Sequence, residues 1–282
     1  MPPIVSVIAP GMMGSAVAAR LTEAGATVLT SLTGRSSATV TRAAAAGMRD
    51  TDDAELATAD FILSIVPPGE ALALARRLAG PMRASAKKPV YVDCNAVSPA
   101  TVLQIDAVVR ETGATFVDGG IIGPPPIPDA SKTRIYLSGP AALDVTVLEQ
   151  YGLSTPVQQG PVGAASAMKM SYAGITKGFT ALGAAMMLAA TRAGTADALI
   201  AEMGVSQQAL LKWLTMQMPK MPSKAYRWVA EMEEIAAFIG PDNPGHGFYL
   251  SAAALYESVA ADFAGDAALT DALTDFCGNA SG

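Results

Sequence analysis

Apolar positions along this chain keep two different rhythms. In the first half, short aliphatic and β-branched runs fall at positions 4–9, 27–30, 61–66, 90–93, 115–118 and 134–138. Runs of that length suit strands buried on both faces of a sheet. Pro67-Pro68 stops the third run and Gly139-Pro140 the last. Between them, the Ala-rich segments 37–46, 70–78 and 99–111 have helical composition. Strands alternating with helices predict a parallel sheet with right-handed crossovers. Beyond about residue 158 the strand signals stop, and Ala, Met and Leu dominate. Segment 162–193 reads as one long helix. Its many small residues, among them Ala165, Ala173, Gly174, Gly178 and Gly183, let other helices come close, so it is expected to be central and buried. Further helices are expected at 195–202, 206–215, 224–239 and 247–264.

The first strand runs straight into Pro10-Gly11-Met12-Met13-Gly14, and a helical segment follows at Ser15. Strand, tight glycine turn and helix form the setting in which a Gly-x-Gly-x-x-Gly fingerprint has physical meaning. Here it reads Ala9-x-Gly11-x-x-Gly14. The glycines admit a pyrophosphate close to the backbone, and the helix start offers it unpaired N–H groups. The expected architecture is α/β. A Rossmann-type doubly wound parallel sheet occupies residues 1–158, and an all-α domain built on the long helix occupies 159–282.

Composition removes several alternatives. Hydrophobic residues make up 51% and charged residues 16%, which describes a folded rather than a disordered chain. A net charge of −6 without a basic cluster argues against nucleic-acid binding. Cys94 and Cys277, far apart, suit a reducing compartment, and with His246 as the one histidine a structural zinc site is not expected. The N-terminus lacks the charged segment of a signal peptide, and the apolar stretch 178–191 is too short to span a bilayer. A cytoplasmic protein without membrane contact is expected.

Four segments, in order, resemble the β-hydroxyacid dehydrogenase superfamily, which includes 6-phosphogluconate and 3-hydroxyisobutyrate dehydrogenases. They are Gly11-x-Met13-Gly14, Asp93-Cys94-Asn95-Ala96-Val97-Ser98-Pro99, the loop Asp118-Gly119-Gly120-Ile121-Ile122-Gly123-Pro124, and Gly160-Pro161-Val162-Gly163 through Lys169. The resemblance covers nearly the whole chain and fits a divergent, phosphogluconate-dehydrogenase-like branch. Asn95-Ala96 stand where Ser-Thr is usual, Ile122 replaces a hydroxyl, and Ala173 replaces an Asn. The later Lys-Asp pair of the family falls near Leu255 and Tyr256. The resemblance implies a nicotinamide cofactor on the turn Gly11, Met12, Met13 and Gly14, Lys169 as a catalytic residue, and a substrate lying between the two domains. The chain's own residues add Arg35, Ser36, Val66, Pro67 and Asn95 as cofactor-binding candidates and Asn95 and Tyr172 as catalytic candidates. They place the substrate beside Ile122, Gly123, Lys169, Tyr172 and His246.

Each residue also carries a plainer reading. Lys169 is either a desolvated lysine of lowered pKa, able to exchange a proton with an alcohol, or a surface lysine on an amphipathic helix. Tyr172 shares its helix face or is a core aromatic. Asn95 has the donors and acceptor for a substrate or the nicotinamide amide, yet also suits a turn before the helix at Pro99. Segment 31–37 lacks the acid that would bind adenosine ribose hydroxyls, and it carries Arg35-Ser36-Ser37. That set favours a phosphate, hence NADP(H) over NAD(H), unless Ser36 is only a helix cap. His246 lies in a loop by composition.

The expectation is an NAD(P)-dependent dehydrogenase or reductase acting on a small alcohol or carbonyl substrate. The altered substrate segments disfavour 3-hydroxyisobutyrate, tartronate semialdehyde and 6-phosphogluconate. An imine or ketimine reductase of the same fold is the first alternative, against which Lys169 argues. A non-catalytic nucleotide sensor is the second. The apolar content and long helix further predict a homodimer centred on 160–282.

Overall fold

The computed structural model describes residues 1–128 and 132–280. The last two positions of the expected helical domain lie outside the described residues. The chain divides into two compact units, Met1–Met170 and Ser171–Gly282.

In the first unit the strands are β1 (Ile4–Ile8), β2 (Thr27–Thr30), β3 (Arg49–Asp50), β4 (Phe61–Ser64), β5 (Val90–Asp93), β6 (Thr115–Ile122) and β7 (Arg134–Ser138). The helices are α1 (Met12–Glu23), α2 (Ser37–Ala45), α3 (Asp53–Leu56), α4 (Ala71–Ala84), α5 (Pro99–Arg110) and α6 (Ala142–Val145). The sheet order is β3-β2-β1-β4-β5-β6-β7, so the strand order reverses between β1 and β4. All pairings are parallel except β6 with β7. This is the doubly wound arrangement, with ligand binding favoured at the carboxyl ends of β1 and β4. One apolar cluster, with Val17, Leu21 and Val117, covers one face of the sheet; a second, with Leu78, Ile105 and Phe116, covers the other.

Two departures from expectation have clear causes. Segment 119–122, which the resemblance places in a substrate loop, continues β6. Antiparallel pairing with β7, with Gly119 opposite Leu137 and Gly120 opposite Tyr136, supplies the partner that the local sequence does not advertise. β3 is two exposed residues without an apolar run, and it adds to β2 through Leu29–Arg49 and Thr30–Asp50 pairing.

The long helix α7 (Ala164–Arg192) begins in the first unit and continues into the second. The second unit then has α8 (Ala196–Ser206), α9 (Gln208–Gln217), α10 (Pro222–Ile239), α11 (Gly245–Ala264) and α12 (Ala268–Asn279). By length and composition α7 could cross a membrane, but half of its most apolar window is buried within the protein, as in the core helix of a globular domain. It is not buried all round, contrary to expectation. Tyr172, Ile175, Phe179, Leu182 and Met186 form an exposed stripe at three- and four-residue spacing. Gly174, Gly178 and Gly183 are buried, with Tyr249 and Phe248 lying against Gly178. Cys94 and Cys277 are buried, one in each unit.

Candidate functional site

The turn after β1 contains two glycines with different reasons to be there. A Cβ on Gly14 would overlap the Ala9 carbonyl oxygen, so the approach of α1 to β1 demands glycine. A Cβ on Gly11 would meet nothing within 4 Å. The fold does not require glycine at Gly11, and its absent side chain leaves the turn open to the close approach of a ligand. No side chain caps the start of α1, and its first turn holds no acidic residue. The first-turn N–H groups of Met12, Met13 and Gly14 and the positive end of the helix therefore suit an anion. These residues fit the pyrophosphate of a dinucleotide.

Beyond β2, Asp50 accepts a hydrogen bond from Leu32 N–H at 2.8 Å and so shapes the loop that carries Arg35. Ser36 caps α2 by accepting from Thr39 N–H, and its hydroxyl also pairs with Thr39. Its plainer reading, the helix cap, is what the structure places there. Arg35 lines a cavity of about 150 Å³ with Ile8, Val66, Glu70, Leu74 and Arg77. Pro67 is exposed beside it and is not part of its wall.

Asn95 is 2% exposed and is turned inward. Its amide oxygen accepts from Val66 N–H at 2.6 Å, and its NH₂ donates to Ser64 Oγ at 2.7 Å and Asp93 Oδ2 at 2.9 Å. Both donors are thus committed to protein. Asn95 fixes the chain after β4 against the end of β5, and does not present its NH₂ to a substrate or a nicotinamide amide as expected.

At the far side of the sheet, Asp118 is fully buried and holds the start of α7. Its carboxylate accepts from Gly163 N–H at 2.9 Å, Ser166 N–H at 3.1 Å, Ser166 Oγ at 2.6 Å and Ser138 Oγ at 2.8 Å. Ser138 Oγ in turn accepts from Ala165 N–H at 2.9 Å. A buried carboxylate at a helix N-terminus satisfies orphan donors and complements the helix dipole. Burial, then the charges of Asp93 and Asp118, push the Cys94 thiol well above its ordinary range.

This cap anchors Lys169. One turn after Ser166, Lys169 lies against β6, where a Cβ on Gly120 would stand 3.2 Å from Lys169 Cβ and 3.0 Å from the Ala165 carbonyl. Lys169 is half-buried, and its Nζ donates to the Ile121 carbonyl at 2.7 Å. Ile122 follows, half-buried, and Gly123 turns with φ +127°, where a Cβ would press on the Thr133 backbone. The structure therefore brings Lys169, Ile121 and Ile122 together at the end of β6.

In the second unit, Tyr172 is half exposed and Ala173 is buried. His246 belongs to the first turn of α11 and not to a loop. The Asn243-Pro244-Gly245 sequence that reads as a loop leads directly into the helix, and the imidazole Nδ1–H donates to the Ala236 carbonyl at 2.8 Å. Tyr256 is fully buried, edge-on to Trp228, and donates to the Lys177 carbonyl at 2.5 Å. Lys177 pairs with Glu231 and lies 5.1 Å from the Trp228 ring centre. Burial lowers its pKa, with Glu231 opposing. The signal for this pair, a lysine opposite an Asp/Glu-rich helix, exists in the sequence but names no partner. Among the described residues no group of three or more His, Cys, Asp or Glu could hold a metal ion.

Comparison with known proteins agrees with this geometry. Residues 4–148 match the NAD binding domain of 6-phosphogluconate dehydrogenase, and 190–259 match a domain of unknown function, DUF1932. An uncharacterized 28.5 kDa protein of Methanothermus fervidus is 32% identical over 141 residues, 50% of this chain and 52% of the relative. The chain thus spans about half the length of this curated relative. A solved conserved protein of unknown function, described as structurally similar to 3-hydroxyacid dehydrogenases, shares 28% identity with a TM-score of 0.68, covering 92% of this chain and 99% of its own. Mycobacterium tuberculosis 3-hydroxyisobutyrate dehydrogenase, solved with L-serine, superposes with a TM-score of 0.70 at 19% identity over 100% of this chain and 99% of its own, a likeness of fold. With more than half of its length matched by that nucleotide-binding model, and with the strand order and glycine turn to go with it, the chain belongs to the 6-phosphogluconate dehydrogenase NAD-binding family, within the β-hydroxyacid dehydrogenase superfamily.

Proposed function

We infer that this protein is an NADP(H)-dependent oxidoreductase interconverting an alcohol and a carbonyl, with Lys169 as general acid/base. The observation that carries this reading is the docking of Lys169 Nζ on the Ile121 carbonyl at the end of β6. The nicotinamide, when bound, supplies the hydride acceptor or donor. In oxidation, neutral Lys169 Nζ takes the hydroxyl proton as the carbon loses hydride; in reduction, the ammonium returns it to the developing alkoxide. The Ile121 carbonyl orients Nζ, and the Asp118 cap fixes the helix turn that carries it.

Ile122 in place of a hydroxyl supports a substrate with less charge or more bulk than small hydroxy acids. Activity across alcohols and carbonyls with NADP(H) tests the reading directly. Lys169→Ala should lower turnover by roughly 10²–10⁴-fold while leaving NADPH affinity nearly unchanged. Near-wild-type turnover by the folded variant would reject it. Tight NADPH binding with no turnover on any substrate would favour a nucleotide sensor. The exposed α7 stripe supports self-association of two copies through the helical unit.

A further inference from the structure

The cavity behind Val66 contains charges that the protein itself does not neutralise. Its floor is apolar, formed by Ile8 at the end of β1, Val66 after β4 and Leu74 on α4. Three charged residues stand on its walls: Arg35, Glu70 and Arg77. Arg77 is matched by Asp53, its Nε 3.1 Å from Oδ2. Among the described residues, no hydrogen bond or ion pair engages the Glu70 carboxylate or the Arg35 guanidinium. An acidic and a basic residue therefore line one slot of about 150 Å³, neither of them engaged by a hydrogen bond or ion pair among the described residues. That volume is below the roughly 300–1,000 Å³ of a whole small-molecule site, so it suits one moiety of a larger molecule.

The surrounding geometry says which moiety. The slot adjoins the carboxyl ends of β1 and β4, where the strand order reverses, and Arg35 comes from the loop after β2. In a doubly wound fold with the pyrophosphate at the β1 turn, the adenosine end extends toward β2. Of the two adenosine-end groups, the ribose side is the one that faces the β2 loop and Arg35. The base then lies over Ile8, Val66 and Leu74. An adenine offers an exocyclic amine, and Glu70 offers only acceptors.

Resting on the cofactor reading above, we propose that Glu70 is a specificity-determining residue that recognises the adenine base by accepting a hydrogen bond from its exocyclic amine, in the slot it lines together with Arg35. Glu70 follows Pro67-Pro68 and stands directly before α4, so the rigid dipeptide and the Asn95 bond to Val66 N–H hold it at the slot. A base with oxygen in place of the amine would set a carbonyl against the carboxylate. A glutamine at this position could turn its NH₂ to that carbonyl.

The test measures dissociation constants of NADPH and of its hypoxanthine analogue by nucleotide fluorescence, for the wild-type protein, Glu70→Gln and Glu70→Ala. The wild type should bind the hypoxanthine analogue roughly tenfold more weakly than NADPH, the scale of one hydrogen bond to a charged group at an exposed site. Glu70→Gln should reduce that gap to about twofold or invert it, and Glu70→Ala should erase it by weakening NADPH alone. Equal wild-type affinity for the two nucleotides, or a gap that survives both substitutions, would overturn the role of Glu70 and leave the cofactor reading standing. Failure of the wild type to bind either nucleotide would overturn both.

Discussion

On the proposed reading, a single side chain, Arg35, sets cofactor choice. The loop after β2 carries no acid for the ribose hydroxyls, and Asp50 of β3 accepts from its Leu32 N–H. Arg35 and its neighbours leave a cation where NAD-specific relatives of this fold place an acid. Losing one charge-assisted contact to a 2′-phosphate should cost roughly 1.5–3 kcal/mol. Arg35→Ala should therefore weaken NADPH binding about tenfold or more in equilibrium titration and leave NADH binding within about twofold. Equal weakening of both would place the phosphate elsewhere. Ser36 is a poorer target for the same experiment, because its loss would uncap α2 as well.

At the scale of elements, the join between β6 and α7 matters most. Four hydrogen bonds converge on Asp118, from residues 20 to 48 positions away. Asp118→Asn would turn an NH₂ toward donors that need an acceptor. Urea unfolding should then show a loss of roughly 2–4 kcal/mol, from weakened charged hydrogen bonds and unsatisfied N–H groups. A loss below about 0.5 kcal/mol would mean that the helix start does not depend on this carboxylate. Ser138→Ala should cost less, about 1 kcal/mol, because it removes a neutral hydroxyl from the same group. The join also marks where legibility ended. β2, β5 and β7 were readable to the residue because a buried strand is a continuous apolar run. The Gly11–Gly14 turn and Lys169 were readable because their meaning is local, or set by spacing from a local landmark. The inward turn of Asn95 toward Val66 and Ser64, the capping of α7 by Asp118 and the place of Glu70 depend on distant partners or on a cavity wall, and no local pattern encodes them. α12 was missed for another reason: Thr270, Asp271, Thr274 and Asp275 dilute its apolar face, which Leu273, Phe276 and Cys277 bury.

For the whole molecule, the exposed α7 stripe predicts assembly. Ile175 is 72% exposed and Met186 54%, on a helix whose buried positions are largely glycine and alanine. A two-fold pairing would place the same stripe on both partners, as an isologous interface requires. Sedimentation at micromolar concentration should show a dimer, and Ile175→Glu combined with Leu182→Glu should give a folded monomer. A wild-type monomer would refute the assembly. The two cysteines have a consequence of another kind. Burial raises both thiols, Cys277 to about 11 and Cys94 well above its ordinary range, so neither reacts until the structure around it opens. Since one lies in each compact unit, the pair forms a set of two internal clocks. The rate at which a thiol reagent reaches Cys94 times the opening of the sheet, the rate at Cys277 times the opening of the helices, and a nucleotide that slows only the first has tightened only the unit that holds it.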